Sequence, residues 1–454
     1  IRLWCMNHRR TNNRKERNID LSNWEEIETD CDTEISQHYT LVGMVESGRS
    51  TLSSGTAAYD IPKLALSEIS IGQIIGRGGF SVVREISAIH LQELYDTDEN
   101  EAQMRAALAS EYQTVDENNK NTPNSSSRRL YVTKTLRDDL PDEDHTKGIV
   151  DLAVEARLLA KLSHLNIIKM RAIANSDPLE SKFFIILERL NTTLDARMTQ
   201  WRKEIGISMG VWMGPCMGYI CSRKHLLHQL WIERMLVAHD IASAIRHLHQ
   251  QGIVYRDLKP DNIGFDEEGV VKLFDFGLAK HLHPDDKNTL GLYRLTGNTG
   301  SLRYMAPEVA LGQPYDLRVD TYSFGILFWQ ICALATPFSG YSCKMHSEQV
   351  VEKGHRPKTD RSWPSTWSQL MKNSWSSDIF KRPNFDVILN TLDSEIDELY
   401  SQNDSVSSDI RAKNRSSNRI KAHCDEVQLD EDTRINGSSF LNAMSTRRHN
   451  ADIV

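Results

Sequence analysis

The stretch "YRDLKPDN" at 255–262 packs Arg256, Asp257, Lys259, Asp261 and Asn262 between strongly hydrophobic flanks. A second acidic residue, Asp275, follows thirteen positions after Asn262 and is led in by the strand-like run "GVVKLF". Asp and Asn oxygens are hard ligands suited to Mg²⁺. A carboxylate that takes a hydroxyl proton, beside such ligands, is what phosphoryl transfer asks of a protein. For either stretch alone, a polar surface turn is the competing reading.

Two further stretches bear on the same chemistry. "GRGGFSVV" (76–83) places Gly76 and Gly78 in a tight turn between strand-like runs, where backbone N–H groups can approach phosphate oxygens. By itself this also describes an ordinary hairpin. Strand rather than helix follows, which argues against a dinucleotide-binding turn, and no Gly-Lys-Ser/Thr ends it as a P-loop would. "YVTK" (131–134) puts Lys134 inside an apolar strand, which is costly unless the ammonium is paired. Either Lys134 lies on an edge strand facing solvent, or a carboxylate holds it. Glu155, twenty-one residues on, is the candidate partner.

These residues need elements to position them. Residues 66–89 read as strand, tight loop, strand. "RLYVTKTL" and "KFFIILERL" read as further strands. Between them, Ile149, Leu152, Ala153, Ala156 and Leu159 recur at helical spacing, with Glu155 among them. Helices are expected at 192–203 and 228–250, the latter closed by Gly252, then hairpin-like strands at 262–275, and mainly helices beyond 300. Two stretches read as insertions, 89–128 (helical at first, then flexible) and 204–226. Strands first and helices afterwards imply an α+β, two-lobed chain. Residues 1–65 and 396–454 are polar and read as disordered.

Taken in order, "GRGGFSVV", "YVTK", Glu155, "YRDLKPDN", "DFG" and "APE" make the sequence resemble a eukaryotic-type protein kinase of the serine/threonine class, over residues 66–395. The resemblance implies a small β-rich N-lobe with one main helix and a larger, mainly helical C-lobe. It implies ATP and Mg²⁺, and protein substrates with Ser or Thr acceptors. In that pattern Lys134 grips the α- and β-phosphates and Glu155 fixes it. Asp257 orients the acceptor hydroxyl and takes its proton, and Lys259 steadies the transferring group. Asn262 and Asp275 bind Mg²⁺. Gly76 and Gly78 cover the phosphates. Val83 and Val132 join the nucleotide site, Leu187 guards its back, and Glu188 and Leu190 form the hinge that meets adenine.

Asp320 is expected to tie down the catalytic loop and Arg382 to pair with Glu308. Arg256 implies an activating phosphate from an upstream kinase, at Thr289, Thr296 or Thr299. "DLKPDN" and Ser301 favour Ser/Thr acceptors; tyrosine or dual specificity, a small-molecule acceptor and a catalytically silent scaffold are the alternatives. Some positions depart from the pattern. Ser81 replaces the third Gly, Tyr255 the usual His, and Val132 the Ala of the adenine roof. Gly264 stands where an apolar side chain often forms the adenine floor.

Composition narrows the classes. A formal charge of −8 gives no support to general nucleic-acid binding. The seven Cys are scattered without a zinc spacing, as in reduced intracellular proteins, and point to the cytoplasm, with the nucleus as the alternative. No run of about 18 apolar residues marks a membrane span; "FGILFWQICALA" at 324–335 reads as a buried helix. No signal peptide is visible, although the chain opens on Ile and a targeting segment ahead of it would not be seen.

Overall fold

Alternation of β-branched residues builds the first lobe. The structure, a computed structural model, describes residues 61–92, 99–117, 131–210 and 217–415, all in one unit that begins at Asp60. The first lobe holds β1 (Lys63–Leu64), β2 (Ile69–Arg77), β3 (Ser81–Ile89), α1 (Glu99–Glu117), β4 (Tyr131–Leu136), α2 (Asp142–Leu159), β5 (Met170–Ala174) and β6 (Phe184–Glu188). Its strands form one sheet in the order β1-β5-β6-β4-β3-β2. β1 pairs with β5 in parallel, and the remaining pairs are antiparallel. β4 is interior, so Lys134 does not sit on an edge. Its neighbours in register are Val83 and Ile185.

α2 buries Leu152, Ala156 and Leu159, the stripe expected from its periodicity, and Glu155 is buried with them. α1 is the helical first part of the insertion after β3, and it lies folded against the lobe. It buries Leu108 and Ala109, and Arg105 pairs with Glu68, both side chains being buried. Tyr112 Oη donates to Ile86 O at 2.7 Å, with its ring 5.9 Å from that of Tyr131. The flexible end expected for this insertion lies outside the described residues.

The second lobe runs β7 (Thr192–Thr193), α3 (Leu194–Gly210), α4 (Met217–Gln250), β8 (Ile253–Val254), β9 (Ile263–Phe265), β10 (Val271–Leu273), β11 (Lys280–His281), α5 (Pro307–Ala310), α6 (Arg318–Ala333), α7 (Cys343–His346), α8 (Ser365–Ser374) and α9 (Phe385–Arg415). The short strands carry the loops that matter, as β10-β9-β7 and β11-β8. α6 is the buried helix anticipated at "FGILFWQICALA".

Three boundaries differ from the sequence reading. The N-terminal polar region does not stay unstructured to residue 65, because β1 extends the sheet along β5. The expected insertion at 204–226 is largely a continuation of α3 and α4, which Arg197 joins through Glu233 at 2.6 Å; residues 211–216 lie outside the described residues. The C-terminal tail is not disordered from 396, because α9 continues to Arg415. Leu392, Ile396 and Leu399 are buried on α9. His228 bonds Leu399 O at 2.8 Å and Arg246 meets Asp386 at 3.3 Å, so α9 runs antiparallel to α4. Residues 1–60 and 416–454, which hold the rest of the two polar regions, lie outside the described residues. Among the described residues no helix is long and apolar enough to cross a membrane.

Candidate active site

Lys134 needs charge partners because β4 buries it, and the fold supplies two. Its Nζ lies 2.6 Å from Glu155 Oε2 on α2 and 3.1 Å from Asp275 Oδ1. Burial disfavours the ammonium, but the facing carboxylates of Glu155 and Asp275 outweigh it and raise its pKa. Lys134 in turn holds the Asp275 carboxyl below the usual carboxylate range. Phe276 N donates to Glu155 Oε1 at 3.4 Å, so α2, β4 and the "DFG" stretch meet at one point. Asp275 has a φ of 64°, a left-handed conformation that costs a non-glycine residue energy and recurs at functional sites.

The "YRDLKPDN" loop is held from below. Asp320, fully buried on α6, accepts from Tyr255 N, Arg256 N and His249 Nε2, each at 2.8 Å. Tyr255, in place of the usual His, packs edge-on against Phe276 at 5.3 Å and donates its hydroxyl to Phe274 O. Above this base, Asp257 is surrounded by donors. Lys259 Nζ reaches its Oδ2 at 2.6 Å, Asn262 Nδ2 reaches Oδ2 at 2.8 Å, and Ser301 Oγ reaches Oδ1 at 2.8 Å. Lys259 also donates to Ser301 Oγ at 2.9 Å. Gly300 has a φ of 95°, and a side chain there would collide with Arg256 O. The glycine therefore lets the activation segment approach the loop closely enough for Ser301 to bond Asp257.

Asn262 commits its Nδ2 to Asp257, which turns its Oδ1 away from that carboxylate. Its backbone O accepts from Phe274 N at 3.1 Å, tying it to the residue before Asp275. An amide oxygen and a carboxylate are a fitting donor pair for Mg²⁺, which takes few protein ligands and completes its shell with phosphate and water. Among the described residues no group of three or more His, Cys, Asp or Glu is placed to hold a metal without such help.

The remaining sequence candidates lie on β2, β3 and the turn between them, on β4 and β6, and just after β6. Gly76 pairs with Val83 across the β2–β3 hairpin, and Gly78 N donates to Ser81 O at 2.8 Å. Val132 is buried on β4 opposite Leu187. Glu188, at the end of β6, turns its carboxylate to Lys169 N at 3.0 Å and Lys272 Nζ at 3.1 Å. Leu190 is partly buried against the core.

Other residues belong to the site that the sequence did not single out. Arg137, just past β4, donates to Gly79 O at 3.0 Å, and its N–H donates to Phe80 O at 3.0 Å, which fixes the tip of the glycine turn. Gly148 on α2 lies under that tip; a Cβ there would stand 2.9 Å from Phe80 Cβ and 2.6 Å from Leu136 Cδ2. Glycine is a weak helix former, and an unexpected one in α2 was the available signal. Burial pushes the Asp151 carboxyl, one turn before Glu155, up to about 6.

A family model described as Protein kinase domain matches residues 120–392. The serine/threonine/tyrosine-protein kinase HT1 of Arabidopsis thaliana is 32% identical over 240 residues, which is 53% of this chain and 53% of that protein. The serine/threonine-protein kinase STY17 of Arabidopsis thaliana is 36% identical over 163 residues, 36% of this chain and 27% of that protein. A dual serine/threonine and tyrosine protein kinase of Pimephales promelas is 33% identical over 186 residues, 40% of this chain and 20% of that protein. The chain thus spans about half the length of these relatives or less. The family match covers more than half of the chain and includes Lys134, Glu155, Asp257, Asn262 and Asp275: the chain belongs to the protein kinase domain family.

Proposed function

We propose that this protein transfers the γ-phosphoryl group of Mg-ATP to Ser and Thr hydroxyls of protein substrates. The observation that carries the reading is the single connected site in which Lys134, Glu155 and Asp275 face one another while Asp257, Lys259, Asn262 and Ser301 form a second bonded group. Mg²⁺, when bound, neutralises phosphate charge, and Asn262 and Asp275 are the residues to hold it. Lys134, fixed by Glu155, binds the α- and β-phosphates, and the backbone at Gly76 and Gly78 covers them. Val83, Val132, Glu188 and Leu190 enclose the base. Asp257 Oδ orients the acceptor hydroxyl and takes its proton as the new O–P bond forms and the bond to ADP breaks. Lys259 stabilises the charge on the group in transit.

Ser301 favours Ser/Thr acceptors, because its hydroxyl completes the contact between Lys259 and Asp257. Dual specificity is the second reading, favoured by the names of relatives described as acting on Ser, Thr and Tyr. Incubating the purified chain with Mg-ATP and a mixed peptide library, followed by phospho-residue identification, separates them. Phospho-Ser and phospho-Thr alone support the first, and added phospho-Tyr the second. Absence of transfer after treatment with activating kinases would leave a nucleotide-binding scaffold.

Among the three candidate threonines, Thr296 is the one that Arg256 meets: Arg256 Nη1 donates to its Oγ1 at 3.1 Å. A phosphate there gains charge-assisted bonds to the guanidinium and orders the segment. Phosphatase treatment is therefore expected to lower wild-type transfer roughly tenfold. Thr296→Ala should start near that lower rate and not respond to phosphatase. A full response in Thr296→Ala would move the site elsewhere.

A further inference from the structure

Gly264 lies in the middle of β9, paired with Thr193 on one side and Lys272 on the other. It is buried, and its backbone does not adopt the left-handed conformation that would call for glycine. The reason for glycine is space. A Cβ built there would stand 2.7 Å from Leu190 Cδ1, 3.3 Å from Leu190 Cβ and 3.2 Å from Thr192 O. The volume that a side chain at 264 would claim is already taken by Leu190. The hinge strand is drawn onto β9 by Asn191 N, which donates to Phe265 O at 2.8 Å, and this seats Leu190 over the glycine.

We infer that Leu190 supplies the apolar floor of the nucleotide site in place of a side chain at 264, and that Leu190 and Gly264 are one exchangeable unit that sets affinity for the base. The inference rests on the kinase reading of this cleft. A purine needs apolar surface on both faces to leave water. Val83 and Val132 offer it from the first lobe, and in the second lobe the space over Gly264 is filled by Leu190. Here that leucine comes from the hinge rather than from β9. The floor therefore moves with the hinge, and base affinity follows the hinge position rather than the second lobe alone.

The test is a swap, read as KM against kcat for Mg-ATP and, separately, as the thermal shift on adding Mg-ADP. Leu190→Ala is expected to raise KM for ATP at least tenfold, by about the loss of one leucine contact, with a smaller fall in kcat. Gly264→Leu alone is expected to weaken binding through collision with Leu190. Leu190→Ala combined with Gly264→Leu is expected to return KM to within about threefold of wild type. Leu190→Met, which keeps an apolar side chain and spares β9, is expected to stay within about threefold as well. This holds the test open should the swap fold poorly. An unchanged KM in Leu190→Ala, or a well-folded swap no better than Leu190→Ala, overturns the inference. A wild-type chain that shows neither a Mg-ADP shift nor transfer overturns the kinase reading instead.

Discussion

Asp275→Asn is expected to lower γ-phosphoryl transfer by about 10³-fold or more, without unfolding the protein. The substitution keeps the side chain's shape and its reach toward Lys134, so the packing around it survives. It removes the charge that faces both the metal and the ammonium. In the present arrangement Lys134 lies between two carboxylates, Glu155 at 2.6 Å and Asp275 at 3.1 Å. With Asn at 275, Lys134 keeps its bond to Glu155, and the nucleotide loses the carboxylate that holds its counter-ion. Single-turnover transfer, with the far-UV spectrum and melting temperature as controls, measures this directly. A variant within tenfold of wild type and equally dependent on Mg²⁺ would remove Asp275 from the role of metal ligand.

The second large effect is on stability. Arg382 is buried against Glu308 on α5, with Nη1–Oε1 at 2.5 Å and Nη2–Oε2 at 2.8 Å. The same guanidinium donates to Ser376 O at 2.9 Å and Arg318 O at 3.2 Å, so one side chain ties the "APE" segment to α6 and to the approach to α9. Arg382→Ala removes the counter-charge bonded to the buried Glu308 carboxylate, at a cost of about 3–5 kcal/mol. For a domain of this size the melting temperature is expected to fall by on the order of 5–10 °C. Replacing both partners, as Glu308→Gln with Arg382→Met, should recover part of that loss, because the isolated charge is gone. The comparison distinguishes an unpaired charge from lost packing. If the double variant melts no higher than Arg382→Ala, the guanidinium's other bonds and contacts carry the stability.

How much of this could be read beforehand depended on where each cause lay along the chain. Lys134 and Glu155 were legible because each violates its surroundings, a charge in an apolar strand and a charge in the apolar stripe of a helix. The charges of "YRDLKPDN" stood out for the same reason. The extent of α9 was less legible. Leu389, Leu392, Ile396 and Leu399 follow a helical spacing, but the polar residues around them dominated the reading, and the partner surface on α4 is more than a hundred residues away. Leu190 and Gly264 were harder still. Each stood out alone, Leu190 at the hinge and Gly264 as a departure from the family pattern, but their contact did not, because only the pairing of β7 with β9 sets the two in one volume. The same holds for Gly148 and Phe80, which meet across the β3–β4 insertion.

That insertion has a consequence for how the chain is assembled. About forty residues separate the hairpin that carries the glycine turn from the strand that carries Lys134, and the two must pair before the cleft exists. The entropy of closing such a connection rises only with the logarithm of its length, roughly 0.6 kcal/mol for each doubling. α1 recovers part of it by docking Tyr112 onto the two strands the connection must bring together, its hydroxyl on Ile86 O of β3 and its ring beside Tyr131 of β4. The connection between β3 and β4 is therefore a place where this chain tolerates added length at little thermodynamic cost. The cost falls on folding rate, since the hairpin must find β4 across a longer contour, and a variant with α1 deleted should fold to a similar topology along a faster path only if its remaining ends still reach.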